Sequence, residues 1–435
     1  MAATSLDTFG VGMFTPLSFL FFLLTTDLTV TEVGWGASLA TLLSIPFSPL
    51  AGSAVDRWGP RACLIANNVL AAAGYLCYLL VDSLHALVAS MLVVLCAERL
   101  YWAAWPAFVA DLAEGAELDR WYAFTAAGKN ASVALGGAVG GFVLGTGWSG
   151  APLLIVVLNA ATSVLTAFLF RRPSPRSRPA EGAGRDSSAA PDPSAAPDPG
   201  ATPHTTAAPG PKTEDPPTIG EEAAAPQAGW GTILRDRVLL CLLASHAALT
   251  FGWLIPTVIL PVYLVEVRAL PTWLPSTTLM VSSLLIVVGQ TYVTGRLGAV
   301  GRGRVISWGA GLILSAVGLL AAVPAVGEAA MVVVVFVAVL LFTAGQMTAT
   351  PAFVALSATA SPPQARGRFL ALFNLTWTLS AVAGPALVGV LIERHSAVLW
   401  AVLAALVALG GLGYRLTGRL APHLLASPQV RQATS

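Results

Sequence analysis

Ionisable residues lie inside apolar segments of this sequence, where a charge requires an explanation. Glu98 and Arg99 are adjacent near the middle of one segment, and His246 lies in another. A charge at the bilayer centre costs at least about 2.5–3.5 kcal/mol, so these residues are candidates for an ion or proton pathway. Imidazole can exchange a proton near neutral pH. Two structural alternatives stay open, namely a buried ion pair that includes Arg99 and a packing role for His246.

Catalysis of a chemical reaction is not indicated. The sequence has no P-loop lysine motif, no nucleophile motif and no closely spaced Cys/His set that would bind a metal. We therefore predict no enzyme activity, no cofactor and no metal site. The net charge of +1 gives no support to nucleic-acid binding, which normally needs a strongly basic surface.

Composition places the chain in a membrane. It is 56% hydrophobic and 10% charged, whereas soluble domains carry about 25% charged residues. Because about 20 apolar residues cross the hydrocarbon layer as a helix, we predict an all-α membrane protein with twelve transmembrane helices. The predicted spans, numbered 1 to 12, are 8–27, 33–54, 62–82, 85–110, 121–145, 150–170, 236–264, 271–295, 304–325, 328–354, 367–391 and 395–416.

The basic residues predict the orientation. Of the 23 Lys and Arg residues, 19 fall on the side of the termini, while only Arg268 and Arg394 fall on the opposite side. Such an imbalance is typical of cytoplasmic loops, so we expect a multi-pass protein of the plasma membrane with both termini in the cytoplasm. The N-terminus lacks the basic region and cleavage site of a signal peptide, so span 1 is expected to persist.

The chain contains a repeat. Residues 106–110 recur as residues 351–355, 245 positions later, and a helix start at Arg120 is matched by one at Arg368, an offset of 248. Duplicated bundles are typical of secondary transporters, whose substrate site lies between the halves.

The repeat and the composition together predict the domain organisation. We expect six-helix bundles at 1–173 and 230–416 and a cytoplasmic tail at 417–435. Residues 174–229 are rich in proline and lack aromatic residues, a composition that favours a disordered cytoplasmic linker.

The loop between spans 2 and 3 resembles the signature loop of the major facilitator superfamily, because its Gly, Asp-Arg and Gly residues fall at the expected offsets. The resemblance implies two six-helix bundles that rock about a central cavity, as in bacterial, drug-efflux-like members. In physical terms the loop can act as a conformational latch. Alternatively, its basic residues reflect only the excess of Lys and Arg in cytoplasmic loops. The latch residues are Gly52, Asp56, Arg57, Gly59, Arg61 and Asp111.

The resemblance also implies roles for residues in spans 4 and 5. In the family, an arginine at the position of Arg99 is associated with proton coupling. The glycines of span 5 resemble an element of the family's exporters, although close helix packing alone explains them. Lys129 either reaches the cytoplasmic interface or lines the cavity. The glycine elements comprise Gly136, Gly137, Gly140, Gly141, Gly384 and Pro385.

Spans 1, 4, 7 and 10 line the cavity according to the same resemblance. His246, Thr250 and Trp253 are spaced to share one face of span 7. Few amides and acids are available, which favours an amphipathic organic substrate over a sugar. The candidate cavity residues are Phe14, Thr15, Phe19, Trp102, Thr250, Trp253, Thr343 and Gln346, and the candidates for coupling are Glu98, Arg99 and His246.

These observations lead to one functional prediction and two alternatives. We predict a monomeric, proton-coupled antiporter that exports small amphipathic organic compounds across the lipid bilayer by alternating access. The first alternative keeps the fold but imports or equilibrates a metabolite. The second is a receptor or scaffold that transports nothing. Arg99 disfavours the second, since a scaffold does not need a costly charge within a span.

Overall fold

The computed structural model describes residues 2–110, 116–171, 235–298, 300–359, 366–394 and 396–421, and these residues are helical with no strand. The predicted linker at 174–229 lies outside the described residues. The α-helices before it are α1 Ala2–Phe14, α2 Leu20–Thr25, α3 Val30–Ser44, α4 Phe47–Trp58, α5 Pro60–Tyr78, α6 Leu84–Ala110, α7 Ala116–Gly145 and α8 Ala151–Arg171. Those after it are α9 Arg237–Thr250, α10 Leu260–Val262, α11 Trp273–Leu297, α12 Arg302–Ala322, α13 Glu328–Thr359, α14 Arg366–Arg394 and α15 Ser396–Leu420.

Each predicted span coincides with a helix or with a broken helix. Within the described residues, eight helices are long and apolar enough to cross a membrane, and α3 with α4, bent by 47°, forms a ninth. The all-α membrane fold is therefore confirmed, while the number of twelve crossings stays a prediction. We refer to α1–α8 as the first half and to α9–α15 as the second half.

Local sequence signals explain several helix boundaries. The Thr29 side chain accepts a hydrogen bond from the Glu32 backbone, and Glu32 accepts one from the Thr29 backbone, so a capping box begins α3. Asp236 caps α9 by accepting from two backbone N–H groups. Gly59, with φ of 79°, ends α4 in a conformation that favours glycine, and Pro60 then begins α5.

Three predicted spans are broken instead of continuous. Span 2 is bent by 47° between α3 and α4. Span 1 contains a 3₁₀ turn at Thr15–Leu17 between α1 and α2, and span 7 contains a 3₁₀ turn at Phe251–Trp253 followed by a π-helical segment at Ile255–Ile259. A proline lies in each of these two breaks, and a proline has no N–H to donate and displaces the preceding turn. Pro16 lies in the break of span 1 and Pro256 lies in the break of span 7, and these are the first spans of the two halves.

The glycines of α7 serve two different helix contacts. Cβ atoms added at Gly136 and Gly140 would strike the backbone of α1, at Phe9 and Met13. Cβ atoms at Gly137 and Gly141 would lie within 3.2 Å of Ser276 on α11. One glycine pair therefore packs α7 inside the first half, and the other pair packs it against the second half.

The halves meet at the end opposite residue 2, which we call the distal end. There the Thr31 hydroxyl donates to the Gly389 carbonyl at 3.0 Å, and the Ala386 N–H donates to the Ser38 hydroxyl at 2.9 Å. Both bonds join α3 to α14, as the α7 glycines join α7 to α11. In one interface span 2 packs against span 11, and in the other span 5 packs against span 8. Spans 2 and 8 are equivalent in the repeat, and so are spans 5 and 11. The distal end is formed by residues 26–29, 79–83, 146–150 and 268–272.

Gly136→Ala is expected to destabilise the protein by about 1–3 kcal/mol, since overpacking a tight helix contact forces the helices apart. Thermal unfolding of the purified protein in detergent measures this effect. Gly318→Ala is the matched control, because nothing lies within 4 Å of a Cβ at that position. Equal unfolding temperatures for the two variants would contradict the packing role of Gly136.

Candidate functional site

Arg99 reaches from α6 to α3. Its Nε and Nη2 atoms donate to the Ser44 hydroxyl at 3.4 and 3.3 Å, and Ser44 in turn donates to the Thr41 carbonyl at 2.7 Å. Ser44 is fully buried, while Arg99 is partly buried. The guanidinium therefore has a neutral partner on a neighbouring helix, an arrangement that differs from a pair with the adjacent Glu98.

Glu98 and Trp102 form an exposed pair on α6. The Trp102 indole N–H donates to the Glu98 carboxylate at 3.3 Å, and the Trp102 side chain is 61% exposed. A large apolar ring beside a carboxylate offers contact area and a negative charge at the same place. This pair can bind a molecule that has both apolar and polar parts.

His246 lies in an aromatic cluster of the second half. Its ring stacks on Phe373 with centroids 4.0 Å apart, and edges of Phe353 and Trp377 also contact it. Its Nδ1 atom lies 3.2 Å from the Tyr414 hydroxyl, whereas its buried Nε2 has no partner among the described residues. The side chain is 0% exposed, so in this conformation the packing alternative fits His246 better than a pathway role.

The other two predicted cavity residues of span 7 differ in burial. The buried Thr250 hydroxyl donates to the Ala247 carbonyl and to the Thr376 carbonyl on α14. Trp253 is partly buried and contacts the Trp377 ring at 5.6 Å. Trp253 and Trp377 therefore present the more accessible face of the cluster, and Thr250 joins two helices.

The predicted cavity residues of span 1 are packed against aromatic rings. Phe14 is 5% exposed, and its ring centroid lies 5.2 Å from that of Tyr75 and 5.8 Å from that of Tyr78. Phe19 is also buried, and the Thr15 hydroxyl bonds back to the Val11 carbonyl. In this conformation neither phenylalanine lines an open cavity.

In span 10, Thr343 is fully buried and joins two helices through a 2.8 Å hydrogen bond to the Ser282 hydroxyl. Gln346 is partly buried one turn further along α13. Of the two, only Gln346 is open enough to contact a solute here.

Sequence reasoning did not identify Asp7. The predicted span 1 began at residue 8, whereas α1 begins at Ala2 and carries the partly buried Asp7 inside the helix. Helix α1, which carries Asp7, packs against α7, which carries Lys129. The Lys129 ammonium donates a hydrogen bond to the Tyr101 hydroxyl and lies 4.1 Å from the centroid of the Trp105 ring. Lys129 thus contacts α6 and remains partly exposed, and both alternatives for it stay predictions.

The latch loop is exposed at the end near the termini. Asp56 and Arg57 are exposed, and the Arg57 guanidinium lies 6.0 Å from the Trp58 ring. The Arg61 Nε donates to the Phe170 carbonyl at the end of α8, at 2.7 Å. A Cβ at Gly52 would meet nothing within 4 Å. The predicted partner Asp111 lies outside the described residues.

Comparison with protein families identifies the fold. The family model described as Major Facilitator Superfamily matches residues 1–385. This chain belongs to the major facilitator superfamily. No curated protein matches its sequence.

Solved structures of superfamily transporters share the fold at low identity. A mutant of the nucleoside transporter NupG is 11% identical, with a TM-score of 0.69 over 95% of this chain and 98% of that one. A bacterial homologue of the iron transporter ferroportin, in an inward-facing state, is 15% identical, with a TM-score of 0.68 over 96% and 97%. A D-xylose–proton symporter is 14% identical, with a TM-score of 0.63 over 95% of both chains.

Membership in the superfamily establishes the general activity. The protein is a multi-pass membrane transporter of a small molecule and not an enzyme. Likeness at such low identity carries no information on the substrate. The choice of substrate and coupling ion must therefore be argued from this chain's own side chains.

Proposed function

We propose that this transporter is a proton-coupled antiporter that exports small amphipathic organic compounds from the cytoplasm by alternating access. The observation that carries the alternating-access part is the pair of broken helices. Helices interrupted at corresponding positions of two repeats are the best pointer to a transporter's binding site. The breaks at Thr15–Leu17 and Ile255–Ile259 lie in spans 1 and 7, the first span of each half.

The contacts between the halves support the direction in which the cavity opens. Hydrogen bonds at Thr31 and Ser38 and the glycine contacts of α7 close the distal end. If the termini are cytoplasmic, as the distribution of basic residues predicts, this conformation is closed to the outside. Rocking of the halves about the two helix breaks would then open the distal end.

Side chains of the first half support both proton coupling and an amphipathic substrate. Charged groups inside the first half lie beside aromatic rings, at Glu98 with Trp102 and at Lys129 with Trp105. Charges within membrane helices are costly and are typical of proton relays. Aromatic rings supply apolar contact area for an organic solute and attract cationic groups.

A pH step across liposomes containing the purified protein tests this function. The fluorescent amphipathic cation ethidium is the first probe, followed by neutral and anionic amphipaths, with the membrane potential held at zero. We expect ethidium to accumulate in vesicles with an acidic interior, because protons leaving through an antiporter drive the solute inward. The direction does not depend on how the protein is oriented, since the gradients alone set it.

Protein-free liposomes are the control for passive leakage. Accumulation driven by an acidic exterior would identify a symporter, as expected for the import alternative. Transport that ignores the pH step would remove proton coupling from the proposal.

A further inference from the structure

A cavity lies in the second half, at the end near the termini. It has a volume of about 190 Å³ and opens to the surface. Three helices meet around it, and its wall includes Leu297 at the end of α11, Arg302 at the start of α12 and Ala352 in α13. An apolar cavity of roughly 150 Å³ binds benzene, so this space accepts about six carbon atoms.

The cavity begins beyond a direct contact between α11 and α13. Met347 on α13 lies over Gly289, where an added Cβ would be 2.7 Å from the Met347 Cε atom. The Gln290 side chain donates to the Met347 carbonyl at 3.1 Å and so joins the two helices. One turn further along α11, Thr294 already belongs to the cavity wall. The room between the helices is therefore limited to the part near the loop that joins α11 to α12.

The wall of this cavity is mostly hydrocarbon. Val293, Leu297, Val305 and Ala352 contribute apolar side chains, whereas Arg302 contributes a positive charge. A wall of this kind suits a molecule that has both a hydrocarbon chain and an anionic group.

The loop beside the cavity is basic throughout. Arg296 and Arg304 flank Arg302 in the sequence, and both are exposed. The sequence contains no Asp or Glu between Glu266 and Glu328, and these two residues lie towards the distal end. The three helices around the cavity therefore carry three positive charges and no negative charge at this end.

Aromatic residues indicate the depth of the cavity in the membrane. Tyr292 on α11 is 63% exposed, and the Arg296 guanidinium lies 5.0 Å from its ring centroid. Trp308 on α12 is 47% exposed. Because Tyr and Trp are enriched at the membrane–water interface, the mouth of the cavity is expected at the level of the lipid head groups.

The first half is built differently at the equivalent place. The offset of 245 matches Pro351, in the cavity wall, with Pro106 of α6. Around α6, the ends of α4 and α5 join a buried cluster that includes Leu64 and Trp105, and the end of α4 carries the acidic Asp56. Since the first half fills this junction with side chains, the fold itself does not require the cavity or the purely basic loop.

We propose that this cavity binds one anionic glycerophospholipid of the cytoplasmic leaflet. Arg302, with Arg296 and Arg304, binds the phosphate, and the first carbons of one acyl chain occupy the cavity. Guanidinium groups form paired hydrogen bonds with phosphate, and basic pockets between membrane helices on the cytoplasmic side are typical sites for anionic head groups. This site is independent of the transported solute and of the coupling ion.

Native mass spectrometry of the full-length protein in neutral detergent tests the head-group contacts. The probe is dioleoyl phosphatidylglycerol, added after mild delipidation. We expect one molecule to bind the native protein about thirtyfold more tightly than Arg302→Gln with Arg304→Gln, since each basic residue near an anionic lipid contributes roughly fivefold. Arg415→Gln with Arg419→Gln is the matched control, because it removes two exposed arginines from the same end of the second half. It should bind as the native protein does.

Ala352→Leu tests the place of the acyl chain while all arginines remain. Ala352 is 8% exposed and lines the cavity, so a leucine takes up space that the chain would fill. We expect phosphatidylglycerol to bind about tenfold more weakly, because each methylene kept out of the cavity weakens binding roughly fourfold. Ala321→Leu, at an exposed position of α12, is the control and should bind normally.

Several results would overturn this assignment. Unchanged binding in the Arg302 and Arg304 double variant, or in Ala352→Leu, would mean that the lipid lies elsewhere. Displacement of the lipid by excess inorganic phosphate would show a site for an anion alone. If a variant does not fold, the native protein decides, because equal binding of dioleoyl phosphatidylcholine would remove the role of charge. Binding that appears only after residues 174–229 are replaced by a Gly-Ser connector would mean that the linker occupies the site.

Discussion

Gly34→Leu is expected to abolish transport, because it prevents the halves from closing at the distal end. A Cβ at Gly34 would strike the Pro385 carbonyl oxygen and lie 3.2 Å from the Gly389 Cα atom, both on α14 of the other half. These are backbone atoms, which cannot move aside as a flexible side chain can. The leucine therefore keeps α3 and α14 apart, and one of the two states of the transport cycle is lost.

Two measurements test the effect of Gly34→Leu, namely transport and the accessibility of the distal end. Ethidium transport under a pH step should fall to the level of protein-free liposomes. A cysteine introduced at Ser38, which is 5% exposed, should react faster with a membrane-impermeant maleimide when Gly34→Leu is present. Both use a background in which Cys63, Cys77, Cys96 and Cys241 are replaced.

Gly318→Leu is the matched control for Gly34→Leu, because nothing lies within 4 Å of a Cβ there. We expect it to transport normally. Native transport by Gly34→Leu, with the cysteine at position 38 reacting faster, would mean that distal closure is not part of the cycle.

Hydropathy and glycine spacing predicted the helices well, since both depend on composition within one segment. The apolar segments became helices, and the glycine elements of α7 and α14 became close contacts. The positions of the helix breaks were not predicted. Pro16 and Pro256 lie at these breaks, but the turn type depends on neighbours such as the contacts between Thr15–Leu17 and Ile255–Ile259.

The candidate site was predicted less completely, because its geometry depends on contacts between distant residues. Spacing placed His246 and Trp253 on one face of a helix, but it could not show that aromatic rings of α13 and α14 would bury His246. Asp7 was missed because apolar composition begins after it, whereas helical structure begins before it. Lys129 was noticed, but its partners at Tyr101 and Trp105 are more than twenty positions away in the sequence.

Arg99→Ala is expected to abolish transport while leaving the protein folded. Arg99 lies within a predicted membrane span, where a charge is costly and is typical of a functional site. Its expected role is to supply a fixed positive charge inside the first half, near the exposed Glu98 carboxylate. The bond to Ser44 orients this charge, and hydrogen bonds to charged groups contribute about 1.5–3 kcal/mol to stability.

Ser44→Ala separates the charge of Arg99 from its hydrogen bond. This variant removes the same bond but keeps the guanidinium, so it should lose a comparable amount of stability and still transport ethidium. Thermal unfolding in detergent and the pH-step assay measure the two effects on the same preparations. If Arg99→Ala folds and transports as well as Ser44→Ala does, the guanidinium serves only to join α6 to α3. Loss of transport in Arg99→Ala alone would assign the effect to the charge, because both variants lack the bond.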